Sequence, residues 1–255
     1  MGNLASKLRF SGASLRIAVT RPVEFADRVA GRREMRRQGP RGQVEPNRTD
    51  PSAAAHEVLG ITSCTQCDLE LRAIEDEVSA RLVGSHRHDG GTALARMLWM
   101  VARHTRPEQV VETGVARGVS SAYLLDALDR NGAGHLWSID LPPVRPDWRV
   151  DVGSAVPDRL RPRWTYVRGA SRRHLPPLIE RIGDVQLFVH DGLHTVETMA
   201  FELDRVWPHL GAGAVVVADD VDANAAFVDF AQRVDRPSLL VAEPVKQTVV
   251  GLLRR

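Results

Sequence analysis

The sequence predicts an α/β protein in which a mostly parallel sheet of seven strands is covered by helices on both faces. From residue 109 onward, apolar runs of strand length alternate with helical patterns. The runs are apolar throughout rather than at every second position, which is typical of parallel strands buried on both faces. The last two runs have no helix between them, so they predict an antiparallel hairpin at one edge of the sheet.

The individual elements follow from the spacing of apolar residues. Helices are expected near 68–82 and 92–104, where apolar side chains recur every three or four residues, with Thr92 as the N-cap of the second helix. Pro107 should end that helix. The strands are predicted at 109–113, 136–140, 164–168, 185–190, 214–218, 238–242 and 248–252, and the helices between them near 120–130, 175–182, 195–210 and 224–234.

The N-terminal part of the chain is expected to be a basic, helical extension. Residues 1–50 carry 11 Lys and Arg against 5 Asp and Glu, whereas the net charge of the whole chain is only +2. Three prolines and two glycines within 38–52 predict a linker. We therefore divide the chain into a basic arm and linker over 1–52, a helical extension or lid over 53–106, and a main domain over 107–255.

Length and composition restrict the class of protein. The 255 residues, 43% of them hydrophobic, suffice for one sizeable α/β domain with additional elements. No apolar run approaches the roughly 20 residues of a membrane span, and the N-terminus lacks an apolar signal core, so we expect a cytoplasmic protein without a membrane partner. The acidic main domain argues against nucleic acid as a partner. The N-terminal helices could pair two subunits, which leaves a homo-oligomer open.

Acidic residues and a histidine follow two of the predicted strands at their carboxyl ends. The segment LFVHDGLH places Asp191 and His194 there, and VVVADDVDAN places Asp219 and Asp220 there. An open parallel sheet binds ligands in the crevice beyond these strand ends. The four side chains therefore predict a ligand site.

The first strand and the turn after it have the features of a nucleotide site. In VVETGVARGVSS, Gly114 and Gly118 let the backbone approach a ligand, and the helix that follows offers free N–H groups and hydroxyls. Asp140 ends the second strand, where a carboxylate can accept hydrogen bonds from ribose hydroxyls. The glycines do not form the G-x-G-x-x-G pattern of dinucleotide sites, and Glu112 suits a cation better than a pyrophosphate. A ligand with a positively charged amino acid end and a ribose fits these residues.

The chain resembles the class I S-adenosylmethionine (SAM)-dependent methyltransferases in four segments: VVETGVARGVSS, LWSIDLPP, LFVHDGLHTVETMAFELDRVWPHLGAGAVVVADDV and NAAF. More narrowly, it is similar to the O-methyltransferases that modify sugars and secondary metabolites. The resemblance begins near Thr92 and extends to the C-terminus. It implies a Rossmann-like sheet with strand order 3-2-1-4-5-7-6 and SAM as the cofactor. The residues implied to line the cofactor site are Glu112, Gly114, Gly118, Ser120, Ser121, Asp140, Ser171 and Asp191.

The carboxylates at the other end of the crevice predict a divalent metal. Asp191, Asp219 and Asp220 would provide an all-oxygen site of the kind that Mg²⁺ prefers. The resemblance implies the same ligands, and it implies that His194 is the general base that takes the proton of the acceptor hydroxyl. Asp219 stands where some relatives have glutamate, which leaves the exact coordination open. The predicted reaction is methylation of a hydroxyl group on a small molecule.

Other interpretations of the same residues stay open. Asp219 and Asp220 could cap the next helix, and His194 could only orient its loop. His190 is expected to point to the opposite face of the sheet as a packed residue. The acids could instead position substrate in a metal-independent methyltransferase, or the fold could bind its cofactor without turnover. RNA methylation guided by the basic arm is a third hypothesis.

Two cysteines raise the question of a second metal site. Cys64 and Cys67 form a C-x-x-C pattern and, with His86 and His88, offer four potential zinc ligands. A lone C-x-x-C is weak evidence for zinc, and two reduced thiols are the simpler interpretation.

Overall fold

A computed structural model of the protein describes residues 12–38, 44–61, 65–82, 92–142 and 152–255. Within these ranges, five helices precede the sheet, and the remaining strands and helices belong to the alternating part of the chain. None of the described helices has the length and apolar character needed to cross a membrane. The N-terminal helices are α1 (Gly12–Thr20), α2 (Pro22–Arg37), α3 (Pro51–Leu59), α4 (Thr65–Arg81) and α5 (Ala93–Thr105).

The alternating part of the chain confirms the predicted strands and helices with small changes at their ends. Three 3-10 turns, at 158–163, 207–209 and 221–223, add to the expected elements. The elements are β1 (Gln109–Thr113), α6 (Val119–Asn131), β2 (His135–Asp140), β3 (Trp164–Arg168), α7 (Ser171–Ile182), β4 (Val185–His190), α8 (Val196–Val206), β5 (Leu210–Ala218), α9 (Ala226–Arg233), β6 (Ser238–Glu243) and β7 (Thr248–Arg254).

The seven strands form one sheet in the order β3-β2-β1-β4-β5-β7-β6. β1 to β5 run parallel to one another, and β7 runs antiparallel to both β5 and β6. The Rossmann-like α/β fold, its strand order and the antiparallel C-terminal hairpin are therefore confirmed. Because the parallel strands end at one edge, that edge is where the sheet offers a crevice to a ligand.

Both faces of the sheet are buried under helices. One face packs against the group that includes α4, α5 and α6, with Val110, Leu187 and Val215 among its strand residues. The other face packs against α7, α8 and α9, with Val111 and Phe188 from the same strands. Successive residues thus point into different cores, which explains why the strands read as continuous apolar runs.

The cap of α5 differs from its prediction. Thr92 is the N-cap residue, but its side chain makes no capping hydrogen bond. Instead, the carboxylate of Glu243 at the end of β6 accepts a 2.7 Å hydrogen bond from the N–H of Ala93. The acceptor comes from a residue 150 positions away in the chain, and therefore the local sequence could not identify it.

Helix α3 was not predicted as an individual element, although it carries the usual boundary signals of a helix. Asp50 accepts a hydrogen bond from the N–H of Ala53 at 2.7 Å, Pro51 follows it, and Gly60 ends the helix with φ 68°. The predicted linker before α3 is not free either. Arg48 bridges to Val241 at the outer edge of β6. A strand edge that would otherwise be exposed is covered in this way.

Candidate active site

A cavity of about 890 Å³ lies at the carboxyl ends of the parallel strands. The β1–α6 loop, the ends of β2 and β4 and the start of α7 form much of its wall, and α2 forms another part. Of the residues predicted to bind a cofactor, those that line the cavity are Gly114, Ser120, Asp140, Ser171 and Asp191.

The β1–α6 loop brings its backbone against the end of β4. Gly114 has φ 87°, and a Cβ atom built on it would lie 1.9 Å from the carbonyl oxygen of Asp191. Gly118 has φ 81°, and its Cβ would meet Gly153 and Val156 at 2.9 Å. Gly114 is therefore required by the close approach of two strand ends at the cavity, whereas Gly118 is required by packing away from it.

Glu112 lies beneath this loop. Its side chain is fully buried, and its two oxygens accept hydrogen bonds of 2.6 Å from the hydroxyls of Ser120, Ser121 and Ser138. Burial raises the pKa of Glu112, and the three hydroxyls oppose that change. The contact of Glu112 and Ser121 with a cofactor stays a prediction, and in this structure both side chains join β1, β2 and α6. Only Ser120 of this network reaches the cavity among the described residues.

Asp140 ends β2 with one oxygen available to a ligand. Burial raises the pKa of Asp140, although the N–H groups of Val115, Ala116 and Leu141 stabilise the charged carboxylate. Its Oδ2 atom is buried and has no hydrogen-bond partner within the described chain. A buried polar atom without a partner costs free energy, which a hydroxyl group of a ligand would recover.

Two carboxylates and a histidine converge after β4 and β5. One ligand-type atom from each of Asp191, His194 and Asp219 lies within 4.8 Å of the other two. Burial and the neighbouring Asp219 raise the pKa of Asp191 well above its usual range. Asp220 is turned toward His194, with 3.6 Å between its Oδ2 and the histidine Nε2. The converging group thus contains His194 in place of Asp220, unlike the predicted set of three carboxylates.

The backbone of His194 is held by hydrogen bonds, and one nitrogen of its ring has no hydrogen-bond partner in the described structure. Its carbonyl oxygen accepts hydrogen bonds from Gln38 at 2.7 Å and from Asn224 at 3.4 Å. Its Nδ1 is buried and has no partner among the residues that the structure describes. Burial and the nearby His190 lower the pKa of His194, although Asp220 opposes them. The imidazole is therefore neutral near pH 7 and able to accept a proton.

Lys246 reaches the same cluster from the turn between β6 and β7. Its Nζ lies 2.8 Å from Oδ2 of Asp219, whose side chain is 1% exposed. Burial lowers the pKa of Lys246, but Asp191 and Asp219 outweigh it and hold that pKa above its ordinary value. Of this cluster, Asp191 and Lys246 are among the residues that line the cavity, whereas His194, Asp219 and Asp220 are not.

His190 is packed and hydrogen-bonded, as expected, although its ring centroid lies 5.4 Å from that of His194. It is fully buried, and its Nδ1 lies 2.6 Å from the carboxylate of Glu202. The same carboxylate accepts a 2.6 Å hydrogen bond from the hydroxyl of Thr113 and another from the hydroxyl of Ser171. These contacts connect β1, β4, α7 and α8 at the wall of the cavity, which Thr113, Ser171 and Glu202 line.

Helix α2, which the sequence assigns to the basic arm, is attached to the site. Glu34 accepts hydrogen bonds from the hydroxyls of Thr195 at 2.9 Å and Thr198 at 2.7 Å, and it pairs with Arg172 at 3.2 Å. Seven residues of α2 line the cavity. Further ion pairs join the helix to the β3–α7 region: Glu24 with Arg168 at 3.0 Å and Asp27 with Arg173 at 2.8 Å.

Comparison with known proteins agrees with this geometry. Residues 111–221 match a family model described as a methyltransferase domain. Residues 111–221 thus carry the methyltransferase domain. The predicted assignment to the class I SAM-dependent methyltransferases is thereby confirmed. No curated protein sequence matches the chain.

Solved structures of low sequence identity share the fold of this methyltransferase domain. An O-methyltransferase from Bacillus cereus in complex with SAH is 14% identical with a TM-score of 0.53, over 80% of this chain and 96% of that one. The SAH-bound methyltransferase PaMTH1 of Podospora anserina is 14% identical with a TM-score of 0.51, over 71% and 87%. The O-methyltransferase TomG of Streptomyces achromogenes, involved in tomaymycin synthesis and in complex with SAM, is 16% identical with a TM-score of 0.50, over 80% and 86%.

The suggested zinc ligands lie away from the methyltransferase cavity or outside the described residues. Cys64, His86 and His88 are outside the described part of the chain. Cys67 takes part in a disulfide bond, so the expectation of two reduced thiols is not met. Its sulfur also lies 3.8 Å from Nε2 of His104.

Three features of the candidate site were not predicted: Lys246, the attachment of α2 through Glu34 and Gln38, and Glu202 at the cavity wall. Lys246 had one usable signal, because the chain contains only two lysines among its 34 basic residues. Glu34 also had a usable signal, because it is an acidic residue within an arginine-rich helix. Nothing in the sequence distinguished Glu202, since a glutamate in a helix such as α8 is normally an exposed residue.

Proposed function

We propose that the chain is a SAM-dependent O-methyltransferase that acts on a hydroxyl group of a small molecule such as a sugar or a secondary metabolite. The observation that carries this proposal is the placement of two different sets of groups on either side of β1. Asp140 offers an unsatisfied oxygen beyond β2, and Asp191 with His194 and Asp219 offers an acid–base cluster beyond β4. The cytoplasmic location stays a prediction.

The cofactor end of the cavity fits SAM by its chemistry. The free Oδ2 of Asp140 can accept hydrogen bonds from ribose hydroxyls, and the absence of a side chain at Gly114 lets the cofactor lie against the backbone. Ser120 and Ser171 add hydroxyls to the same wall. SAM supplies a methyl group on a positively charged sulfur, and the acidic Asp191 faces the cavity where such a charge would be stabilised.

The acceptor hydroxyl must lose its proton as its oxygen attacks the methyl group. His194 is the group suited to take this proton, since its imidazole is neutral and its Nδ1 has no partner within the described residues. Asp220, 3.6 Å away, would stabilise the imidazolium that results. Gln38 and Asn224 hold the backbone of His194, and so they position the base rather than contact the acceptor.

A divalent cation such as Mg²⁺ fits the same end of the site. Asp191 and Asp219 already converge, and Asp220 would complete three carboxylates if its side chain turned away from His194. One oxygen of Asp219 and one of Asp220 are buried without partners in the described structure, which suits atoms that await a ligand. An ion held there would lower the pKa of the acceptor hydroxyl and align it for transfer. The alternative, a metal-independent methyltransferase, is favoured by one observation, the ammonium group of Lys246 on Asp219.

Methyl transfer to a panel of hydroxylated sugars and phenols tests the proposal, with S-adenosylhomocysteine and methylated product followed by mass spectrometry. We expect His194→Ala to lower kcat by about 10²–10⁴-fold, the range of a lost general base, with SAM affinity unchanged. His209→Ala is the matched control, because His209 precedes β5 at the opposite edge of the sheet. EDTA should stop turnover and Mg²⁺ should restore it.

Each part of the proposal can fail separately in this assay. A His194→Ala variant with wild-type turnover would remove the general base. Turnover that EDTA leaves unchanged would favour the metal-independent alternative. SAM binding without transfer to any acceptor would point to a cofactor-binding protein without activity.

A further inference from the structure

We propose that the ammonium group of Lys246 occupies the cation-binding position at Asp219 and must move away from Asp219 before a divalent ion can bind there. The inference rests on the proposed function, because it concerns the metal-binding end of the same site. It assigns a role to a residue that neither the motifs nor the acid–base chemistry of the site require.

The position of Lys246 places its ammonium group between the cavity and Asp219. That group lies 2.8 Å from Oδ2 of Asp219. Lys246 lines the cavity and its side chain is 26% exposed, whereas the side chain of Asp219 is 1% exposed. The other oxygen of Asp219 is buried with no partner among the described residues. An ion arriving from the cavity would therefore meet the ammonium group before it met this carboxylate.

The charges make joint occupancy by Lys246 and a divalent ion unfavourable. A buried carboxylate without a cation is costly, so the ammonium group stabilises Asp219 as long as no other cation is bound. A divalent ion on Asp219 would lie within a few ångströms of that ammonium group in a poorly hydrated site, where like charges repel strongly. Asp220 is paired with His194, and Asp191 adds a third acid to the cluster. Withdrawal of Lys246 exchanges one cation for another on the same carboxylate.

The choice of lysine fits this exchange. Lys7 and Lys246 are the only lysines among 34 basic residues. The other ion pairs within the described ranges use arginine or histidine as the cation. A guanidinium group holds a carboxylate through a rigid fork, whereas an ammonium group is a single point charge on a flexible stem. The stem of Lys246 begins in a surface turn, next to Val245 with 60% exposure.

Lysine-selective NMR tests the displacement directly in the full-length wild-type protein. With ¹³C at the ε-carbon of lysine, the spectrum should contain two signals, and Lys246→Met identifies the one that belongs to Lys246. We expect the Lys246 signal to shift on addition of Mg²⁺ and to saturate at the same ion concentration as binding measured by calorimetry. A Lys246 signal that stays in place while Mg²⁺ binds would overturn the inference.

Calorimetric titration of Mg²⁺ and Mn²⁺ into Lys246→Met provides a second measurement. The substitution keeps a long side chain and removes the charge, so the ion should bind at least about tenfold more tightly than to the wild type. Lys7→Met is the matched control, since it removes the same charge from the other lysine and should leave ion affinity unchanged. Equal or weaker affinity of Lys246→Met would overturn the inference.

Titration of SAM into the same samples separates this inference from the proposed function. If neither wild type nor Lys246→Met binds the ions while SAM still binds, the role of Lys246 is wrong and the methyltransferase proposal stands. If SAM does not bind, the proposed function fails. Where Lys246→Met does not fold, Lys246→Gln replaces it, and the NMR titration of the wild type remains decisive.

Discussion

Asp191, Asp219 and Asp220 are close together, yet each carboxylate has a different neighbour. Asp219 is paired with Lys246, and Asp220 faces His194. Asp191 lies beside Asp219, and burial with this like charge raises its pKa. Neighbouring charges of opposite and like sign give chemically identical groups different affinities for protons and cations. The cluster is therefore not three equivalent ligands but three acids in distinct states.

His194 should titrate below its usual pKa of 6.5 in the metal-free protein, because burial and His190 disfavour its charged form. At pH values between 6.5 and the lower pKa of His194 in the folded protein, His194 is protonated in the unfolded chain but not in the folded protein. The contribution of His194 to the free energy of unfolding is thus intact above pH 6.5 and is lost as the pH falls. An NMR titration of the imidazole C2 proton, identified with His194→Ala, measures the midpoint. A midpoint at or above 6.5 would contradict the described environment of His194.

Residues that directly follow an apolar strand could be predicted from the sequence. Gly114, Asp140 and Asp191 all lie at the cavity for that reason. The hydrogen bonds of Glu112 could not be predicted, because three serine hydroxyls converge on it and one of them, Ser138, comes from another strand. Contacts between remote parts of the chain decide such cases, and residue type alone does not reveal them.

At the scale of elements, α2 connects the N-terminal region to the active site. The helical pattern and its exposed arginines are visible in the sequence, but the destination of the helix is not. Glu34 contacts Thr195 and Thr198, which follow it by 161 and 164 positions. No local pattern encodes a contact over such a distance, so the helix could be predicted only as part of a basic arm.

Glu34→Ala should loosen α2 without unfolding the sheet. The substitution removes the acceptor of two hydroxyls and the partner of Arg172. We expect the free energy of local opening of residues 22–37 to fall by about 1–2 kcal/mol, which speeds amide hydrogen exchange roughly 5–30-fold. SAM affinity should fall as well, since α2 lines the cavity. Arg33→Ala, at an exposed position of the same helix, is the control. Unchanged exchange in Glu34→Ala would show that these contacts do not hold the helix.

The ends of the helices also show that contacts between remote residues cannot be predicted from local sequence. The start of α5 was predicted at the correct residue, but Glu243 caps it in place of Thr92. Asp50, Pro51 and Gly60 mark both ends of α3, so this helix could have been predicted from local signals alone.

At the scale of the whole molecule, the antiparallel direction of β7 brings Lys246 to the acidic cluster. The parallel strands bring Asp140, Asp191 and Asp219 to one edge of the sheet. Because β7 runs antiparallel to β5, the turn before β7 returns to that same edge, and Asp222 accepts a 2.9 Å hydrogen bond from the N–H of Val249 there. The topology itself therefore brings Lys246 to Asp219. The strand order could be predicted from the resemblance to a known family, but this consequence for one side chain could not.

The cavity at the strand ends should bind SAM. Calorimetric titration of SAM into the wild type and into Asp140→Ala, with Mg²⁺ and again with EDTA, is the measurement that we would make first. We expect micromolar binding to the wild type in both conditions, and binding at least about tenfold weaker in Asp140→Ala because a buried hydrogen-bond acceptor is lost. If the folded wild type does not bind SAM in either condition, the cavity is not a SAM site.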